Sequence, residues 1–381
     1  MLNTSGRIAY TSDHEIFRDS VRKFFAGELV PHLERFNEEG IVDRAMWRAL
    51  GEAGLLCPGV PEAYGGMGLD FLYNAIIDEE LCYVGSTAGF PLQSDICVDY
   101  LIHYGTEKQK QEWLPKMVSG EAIVAIAMTE PGTGSDLQAI RSTAVRNGDD
   151  YVINGSKTYI TNGFSADLVI LVVKTDTAAK GSKGISLVLV EATRAGFQRG
   201  RKLDKVGQDS ADTSELFFND VRVPVANLLG VEGKGFAQLM NQLPQERLSI
   251  AVIGMACAQR AFDEAVKFTK ERKAFGSTVF DFQNTRYELA DMQAKLQVGW
   301  AHLDWALLRH VAGKLTTAEA SSAKLWHSEL QCEICDRALQ LHGGAGYMNE
   351  YPIARLWRDA RVSRIYGGTS EIMKEVISRS I

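Results

Sequence analysis

The sequence predicts an α+β protein of several domains, in which a helical segment, a β-rich segment and a second helical segment follow one another. The hydrophobic pattern changes twice, near residues 120 and 230, and a chain of 381 residues is long enough for two or three domains. Its 45% hydrophobic and 23% charged residues are typical of a globular chain with an ample core. We therefore expect domains at residues 1–120, 121–232 and 233–381.

The first segment is predicted to be helical. Ser12-Asp-His-Glu15 has the form of a capping box, and apolar side chains follow it at helical spacing, at Phe17, Val21, Phe24 and Phe25. The run from Pro58 to Gly68 is rich in glycine and proline, and it predicts a loop between helices.

The middle segment consists of short β-rich runs. Apolar and β-branched residues are concentrated at residues 122–128, 151–153, 168–173 and 185–190. Asn147-Gly148 and Asn154-Gly155 are dipeptides typical of hairpin turns, so we expect a strand to end at each of them.

The last segment returns to long amphipathic helices from Gly235 onward. Apolar side chains keep one face of a helix at Leu248, Ala251, Val252, Met255, Phe262 and Val266. A second helix has the same pattern at Leu289, Met292, Leu296, Trp300, Leu303 and Leu307. Helices of this length and pattern fit a helical bundle.

Charge and hydropathy exclude two classes of partner. The net charge is −7 and no run is dense in lysine or arginine, so we expect no nucleic-acid partner. No uncharged apolar stretch reaches about 18 residues, so we expect no integral membrane segment. Residues 1–11 lack the features of a signal peptide, which predicts a cytoplasmic location.

Cysteine and histidine patterns predict neither a disulfide framework nor a metal site. The six cysteines are scattered through apolar, mostly helical contexts, which predicts reduced core residues. Cys332 and Cys335 form a CxxC inside a helical pattern, without a second pair or a suitably spaced histidine. We therefore expect no metal.

Two runs in the middle segment have the chemistry of a pocket for a flat, polar ring. In Ile126 to Asp136, the residues Pro131, Gly132 and Gly134 force a turn that exposes backbone N–H groups. In the second run, Tyr159 and Thr161 alternate along a predicted strand and should point to the same face. Either run alone would by default be a surface turn.

Taken together, the runs Met-Thr-Glu-Pro-Gly-x-Gly-Ser-Asp and Lys-x-aromatic-Ile-x-Asn-Gly resemble the acyl-CoA dehydrogenase family, and the resemblance extends over nearly the whole chain. It implies the fold of that family, with a β-barrel-like middle domain and a C-terminal four-helix bundle. It also implies FAD as cofactor, a homotetramer built as a dimer of dimers, and electron-transfer flavoprotein as the partner that takes the electrons.

The resemblance assigns roles around the flavin residue by residue. Tyr159 would stack on the ring, at a position where the family most often has tryptophan, and Thr161 would hydrogen-bond near flavin N5. The pyrimidine side of the flavin, or the pantetheine of the substrate, would be lined by Met128, Thr129 and Ser135.

Two later runs also match the family. The run from Gln340 to Gly346 is by itself a helix end followed by a tight turn. In the family, this run contacts an FAD bound mainly by a neighbouring subunit, which implies roles for Gln340, Gly343 and Gly344. The run from Glu271 to Gly276 similarly implies that pyrophosphate and adenosine are reached by Arg272, Phe275 and Gln283. Thr369 and Glu371 would meet FAD near the same two groups. The sequence has neither a GxGxxG nor a Walker A run, so a nicotinamide site has no support.

The resemblance implies a catalytic base that lies on a helix. Many members place a glutamate directly after the tyrosine of an Ile-Tyr-Glu-Gly-Thr motif, but here Gly367 follows Tyr366. Members of the long-chain and isovaleryl types supply a carboxylate from a Glu-Arg pair, as in Glu246-Arg247, and this combination looks most like the long-chain subgroup. We predict Glu246 as the base. The Glu-Arg pair alone would more commonly be an exposed ion pair.

The substrate contacts follow from the same resemblance. The Gly367 N–H would donate to the thioester oxygen, and Tyr366, Arg247 and Ser135 would contact the substrate. Burial against an acyl chain should raise the pKa of Glu246. The expected reaction is oxidation of a saturated acyl-CoA to the trans-2-enoyl-CoA, as in fatty-acid β-oxidation and lipid metabolism. Acyl length, branching and pathway stay open.

Two other functions remain possible on this scaffold. One is a flavin oxidase or monooxygenase, and the other is a non-catalytic flavin-binding subunit.

Overall fold

The computed structural model describes residues 1–381, and it has a helical segment, a sheet and a second helical segment in this order. The predicted α+β class is therefore confirmed. The first segment contains six α-helices: α1 (Ser12–Phe24), α2 (Leu33–Glu39), α3 (Arg44–Glu52), α4 (Phe71–Tyr83), α5 (Val98–Tyr104) and α6 (Glu107–Val118). A π-helical segment, Leu92–Cys97, leads directly into α5.

The start of α1 differs by one residue from the prediction. Thr11, not Ser12, is the N-cap residue: its backbone is extended and its N–H donates to Nδ1 of His14 at 3.1 Å. The predicted pair of Ser12 and Glu15 is therefore wrong, because His14 supplies the reciprocal side chain that the pattern assigned to a glutamate.

The middle segment forms an eight-stranded sheet. Its strands are β1 (Val124–Ala127), β2 (Thr143–Asn147), β3 (Asp150–Thr161), β4 (Leu168–Lys174), β5 (Ile185–Glu191), β6 (Phe197–Lys202), β7 (Thr213–Pro224) and β8 (Leu228–Leu229). The spatial order is β6-β7-β3-β2-β4-β5-β8, and β1 pairs in parallel with β4. Strands β4 and β5 are almost completely buried, which explains their continuous apolar runs.

Of the two predicted hairpin turns, one is confirmed and one is wrong. Asn147-Gly148 connects β2 to β3. Asn154-Gly155 lies inside β3, at a change of register against β7. Gly155 has φ 149°, and a Cβ there would overlap the side chain of Ser142. A glycine is therefore needed here because the strand has a β-bulge and Ser142 lies too close to leave room for a side chain.

The last segment is built around three long helices. They are α7 (Gly235–Glu271), α8 (Gln283–Val311) and α9 (Thr317–His342), followed by the shorter α10 (Pro352–Ala360) and α11 (Ser370–Ser378). A small hairpin of β9 (Lys273–Ala274) and β10 (Ser277–Thr278) follows α7. The apolar faces of α7, α8 and α9 form one core, as their periodicity predicted.

The largest core joins the first two segments. It contains side chains of α1 to α6 together with inward-facing residues of β1, β4 and β5. Helix α4 also packs against α7, so the N-terminal helices lie between the sheet and the helical bundle. This arrangement brings all three segments together around one cavity. No helix is long and apolar enough to cross a membrane.

Candidate active site

A cavity of about 520 Å³ lies where the three segments meet. Its walls come from the end of α4 and the π-helical segment, from β1 and the loop after it, from β3, from α7, and from the loop before α11. Most of the lining residues are hydrophobic. Such a mostly apolar cleft with a few polar groups is typical of a site for an organic ligand.

The structure brings nine of the predicted site residues into this cavity: Met128, Thr129, Ser135, Tyr159, Thr161, Glu246, Arg247, Tyr366 and Gly367. The other eight lie outside its lining: Arg272, Phe275, Gln283, Gln340, Gly343, Gly344, Thr369 and Glu371. Arg272 caps the end of α7, Gln283 begins α8, and Gly343 follows α9. The predicted site residues thus form two groups within one chain.

The loop after β1 turns as its glycines and proline predict. Glu130 and Thr133 exchange two backbone hydrogen bonds across Pro131-Gly132, at 2.9 and 3.0 Å. The N–H groups of Gly134 and Ser135 donate to no protein acceptor, and both residues line the cavity. These amides are therefore available to an anionic or carbonyl oxygen of a ligand.

A buried ion pair fixes this loop to β3. Lys157 is fully buried, and its Nζ donates to Oε1 of Glu130 at 2.8 Å and to the Met128 carbonyl at 3.0 Å. Burial lowers the pKa of Lys157 to about 8, while the Glu130 carboxylate acts in the opposite direction. Glu130 also accepts the N–H of Ser142 at 2.9 Å. The pair thus ties both motifs into one unit.

Tyr159 and Thr161 share the cavity, but not through regular alternation along a strand. The register of β3 against β7 shifts between Lys157 and Ile160, and Tyr159 has a left-handed backbone with φ 59°. Such a conformation is rare for an aromatic residue. It leaves the Tyr159 side chain 71% exposed, so its ring is free to stack on a flat ligand.

Glu246 lies on α7 with only 6% of its surface exposed. Its Oε1 accepts a hydrogen bond from the Tyr100 hydroxyl at 2.8 Å. Its Oε2 has no hydrogen-bond partner in the protein, and the residue lines the cavity. Burial raises the pKa of Glu246 to about 7, although Tyr100 and Arg247 both act to lower it. The simpler interpretation, an exposed carboxylate paired with Arg247, is therefore wrong.

The neighbouring side chains of Arg247 and Glu246 contact different helices. Its Nη1 donates to Oγ of Ser321 on α9 at 3.0 Å, and its Nε has no partner. Burial lowers the pKa of Arg247, and the Glu246 charge opposes this. Arg247 therefore keeps a buried Nε–H group without a protein partner in the cavity wall.

In the loop before α11, both glycines have positive φ angles, which residues with a side chain rarely adopt. Gly367 and Gly368 have φ 64° and 103°, and a Cβ on Gly367 would overlap Cδ1 of Ile250. A glutamate at this position would be strained in the backbone and obstructed by Ile250. The N–H of Gly367 donates to no protein acceptor. Lys324 holds the loop by donating to the Gly368 carbonyl at 2.6 Å.

The residues present fit a flavin. The cavity presents an exposed aromatic ring, free backbone amides and the hydroxyl groups of Thr129, Ser135 and Thr161 beside apolar walls. A flat heterocycle with ring carbonyls needs these groups. Seven of the eight residues in the second group are exposed on the surface, and Thr369 is half-buried. Phe275 is 98% accessible and has φ 51°.

Three contributions were not predicted from the sequence. Tyr100 donates to Glu246, Lys324 holds the glycine loop, and the pair of Lys157 and Glu130 joins the two motifs. Glu130 lies in the first of the two motifs and Lys157 in the second. Since neither had an assigned role, an ion pair between them could have been predicted from the sequence. No local pattern marks Tyr100.

Family models for the acyl-CoA dehydrogenase N-terminal, middle and C-terminal domains match residues 11–121, 125–221 and 233–381. The long-chain specific acyl-CoA dehydrogenase, mitochondrial, of Rattus norvegicus is 48% identical over 98% of this chain and 88% of its own length. The isovaleryl-CoA dehydrogenase, mitochondrial, of Oryza sativa subsp. japonica is 36% identical over 100% and 94%.

Solved structures agree with these matches. The crystal structure of acyl-CoA dehydrogenase from Geobacillus kaustophilus has a TM-score of 0.96 and 49% identity, covering 97% of this chain and 98% of that one. A glutaryl-CoA dehydrogenase from Mycobacterium smegmatis in complex with FADH2 has a TM-score of 0.91 and 27% identity, covering 99% and 96%. The resemblance read from the motifs is thus confirmed, and this chain belongs to the acyl-CoA dehydrogenase family of FAD-dependent oxidoreductases that act on CH–CH bonds.

Proposed function

We propose that this protein oxidises a saturated acyl-CoA thioester to the trans-2-enoyl-CoA, with Glu246 as the base that removes the α-proton. The observation that carries the proposal is the free Oε2 of a buried glutamate in the wall of the cavity. Two other carboxylates line the cavity. Asp359 accepts the backbone N–H of Gln208, and Glu375 pairs with Arg379.

The chemistry needs a base of suitable strength and a donor for the thioester oxygen. A carboxyl whose pKa lies near 7 can take a weakly acidic proton at neutral pH and release it afterwards. As the Cα–H bond breaks, negative charge moves to the thioester oxygen. The free N–H of Gly367 is a donor for this oxygen, and its backbone is fixed by Lys324. FAD, when bound, supplies the acceptor for the hydride that leaves the β-carbon.

The remaining cavity residues hold the cofactor and the substrate in this proposal. Tyr159 stacks on the flavin, Thr161 and Thr129 donate hydroxyl hydrogen bonds to it, and Met128 packs beside it. Ser135 lies at the junction of cofactor and pantetheine, while Tyr366 and Arg247 contact the substrate. The support for these roles is that all seven residues line one cavity.

Six exposed site residues serve a neighbouring subunit in this proposal. Their family counterparts contact an FAD that a second copy mainly binds: Arg272, Phe275, Gln283, Gln340, Gly343 and Gly344. Thr369 and Glu371 would meet FAD near its pyrophosphate and its adenosine, respectively. The exposure of Phe275, whose backbone is left-handed, supports this proposal. An aromatic side chain in contact with water is unfavourable, and exposed apolar surface often marks an interface. Helix α8 also exposes the apolar side chains Val298, Trp305, Leu308 and Val311. A homotetramer, as a dimer of dimers, would cover these surfaces, and light scattering would measure it.

Electron-transfer flavoprotein is the proposed acceptor of the electrons. The solved structure of the electron transferring flavoprotein of Acidaminococcus fermentans contains a chain that is 37% identical to this one, with a TM-score of 0.93, covering 97% of this chain and 98% of that one. The domain limits of 1–120, 121–232 and 233–381 remain a prediction. The cytoplasmic location also remains a prediction, since several relatives are described as mitochondrial and another comes from Bacillus subtilis.

Anaerobic titration with butyryl-, octanoyl-, palmitoyl- and isovaleryl-CoA tests the proposal through flavin absorbance. At least one thioester should bleach the wild-type flavin, and Glu246→Gln should bind it without bleaching. Glu375→Gln is the matched control, since this glutamate lines the same cavity in an exposed ion pair, and it should bleach like the wild type.

The same titration separates the alternatives. Bleaching of Glu246→Gln at the wild-type rate would show that another group is the base. If no thioester bleaches the wild-type flavin, a flavin oxidase or monooxygenase, or a non-catalytic subunit, replaces the dehydrogenase. Rapid consumption of oxygen by the reduced protein would favour the oxidase.

A further inference from the structure

We propose that Tyr100 is a positioning residue for the dehydrogenation, which fixes the Glu246 carboxylate so that a single oxygen faces the substrate. This inference rests on the proposed role of Glu246 as the base. Tyr100 belongs to α5 in the N-terminal helices, whereas Glu246 belongs to α7. The base would thus be oriented by a side chain from another segment of the protein.

The contact is a buried hydrogen bond with a fixed direction. The Tyr100 side chain is fully buried, and its hydroxyl lies 2.8 Å from Oε1 of Glu246. An ionised carboxylate has no proton to give, so the phenol O–H must be the donor while Glu246 is charged. Tyr100 therefore recognises the form of Glu246 that acts as a base.

This bond has two consequences for the reaction. It occupies Oε1, so that only Oε2 remains to accept a proton from a molecule in the cavity. It also stabilises the carboxylate relative to the neutral acid, because hydrogen bonds to a charged acceptor are stronger than those to a neutral one. Without the donor, a larger fraction of Glu246 would be protonated at neutral pH and unable to act.

No other group around Glu246 can replace this donor. Asp99 on α5 and the thiol of Cys97 in the π-helical segment contribute no positive charge. Arg247 on α7 is the neighbouring cation, but its guanidinium bonds to α9, where Lys324 donates to the Gly368 carbonyl. Tyr100 is the only residue that hydrogen-bonds to the Glu246 side chain.

Tyr100→Phe tests the inference, because it removes the hydroxyl and keeps the ring. The measurement is the rate of flavin bleaching by an acyl-CoA, followed by anaerobic stopped flow from pH 5.5 to pH 9.5. The acid limb of the rate should move up by about one pH unit, which makes the variant about tenfold slower at low pH. At the highest pH the two rates should converge. Flavin content and melting temperature should stay close to wild type.

Tyr104→Phe is the matched control. Tyr104 lies on the same helix, and its hydroxyl reaches only the Gln238 carbonyl at 3.5 Å. Its pH profile should match the wild type.

Two results would overturn the inference. An unchanged pH profile in Tyr100→Phe would show that the hydroxyl has no effect on the base. A loss of rate by the same factor at every pH, together with a lower melting temperature, would show a purely structural contact. Glu246→Gln keeps the two proposals apart: if this variant bleaches at the wild-type rate, the assignment of Glu246 as the base fails, whereas a variant that does not bleach, together with an unchanged profile in Tyr100→Phe, overturns only the role of Tyr100.

Discussion

Replacing Glu246 by glutamine should make the folded protein more stable at alkaline pH, although it should abolish the reaction. Glutamine has nearly the same shape, and its Oε1 can still accept the Tyr100 hydrogen bond. It differs in having no charge to bury. The predicted effect therefore isolates the cost of keeping an ionised carboxylate inside the cavity wall.

The size of the effect follows from the pKa of Glu246, which burial raises from 4.5 to about 7. Below pH 4.5 the carboxyl is protonated in both the folded and the unfolded chain, so it costs nothing. As the pH rises, the unfolded chain ionises first, and above about pH 7 the folded chain must also carry the charge. The wild type should then be less stable than the variant by about 3 kcal/mol.

Thermal unfolding of the FAD-loaded proteins between pH 5 and pH 8.5 measures this difference. Equal protein and FAD concentrations are needed, since a ligand bound to the folded state raises its stability. The melting temperature of the variant should exceed that of the wild type by about 4 °C at pH 8.5, and the difference should shrink toward pH 5.

Glu375→Gln is the control for unfolding as well. Glu375 is exposed and pairs with Arg379 on the surface, so its substitution should change stability by less than about 1 kcal/mol at every pH. The reasoning from burial is refuted if the wild type and Glu246→Gln lose stability in parallel across the pH range.

Three further predictions concern the same site. The wild-type kcat/KM should fall about tenfold from pH 8 to pH 6, because Glu246 with a pKa near 7 loses most of its charge, and a flat steady-state profile would contradict this. Lys157→Met should leave the Glu130 charge buried without a counter-charge and cost about 3–5 kcal/mol, seen as a lower melting temperature and a lower ratio of FAD to protein; full FAD content with wild-type stability would refute it. Gly367→Ala should slow flavin bleaching, because its Cβ meets Cδ1 of Ile250, and Ile250→Val in the same chain should restore part of the rate; equal rates in the two chains would exclude this clash.

The sequence could predict those parts of the site that are local in the chain. The turn at Pro131-Gly132 and the glutamate on a helix follow from short patterns, and the structure places both at the same cavity. The donor to Glu246 could not be predicted, because Tyr100 lies 146 residues away and meets it only after α5 packs near α7.

Departures from the predicted strands have a similar origin. Asn154-Gly155 has the composition of a hairpin turn, yet here the glycine admits the Ser142 side chain against a continuing strand. Tyr159 lies at a second irregularity, which turns its backbone into the left-handed region. Both depend on how β3 pairs with β7, and a single strand does not specify its pairing register.

Helix α7 carries Glu246 near its start and ends at the hairpin that contains Phe275. Glu246 and Arg272 are 26 positions apart, about 39 Å along a helix. If the hairpin serves the neighbouring subunit, as proposed above, the two ends of α7 belong to different active sites. Two inactive alleles, one altered at Glu246 and the other at Arg272, should then complement each other. In a mixed dimer, one site would combine an intact glutamate with an intact arginine from its neighbour.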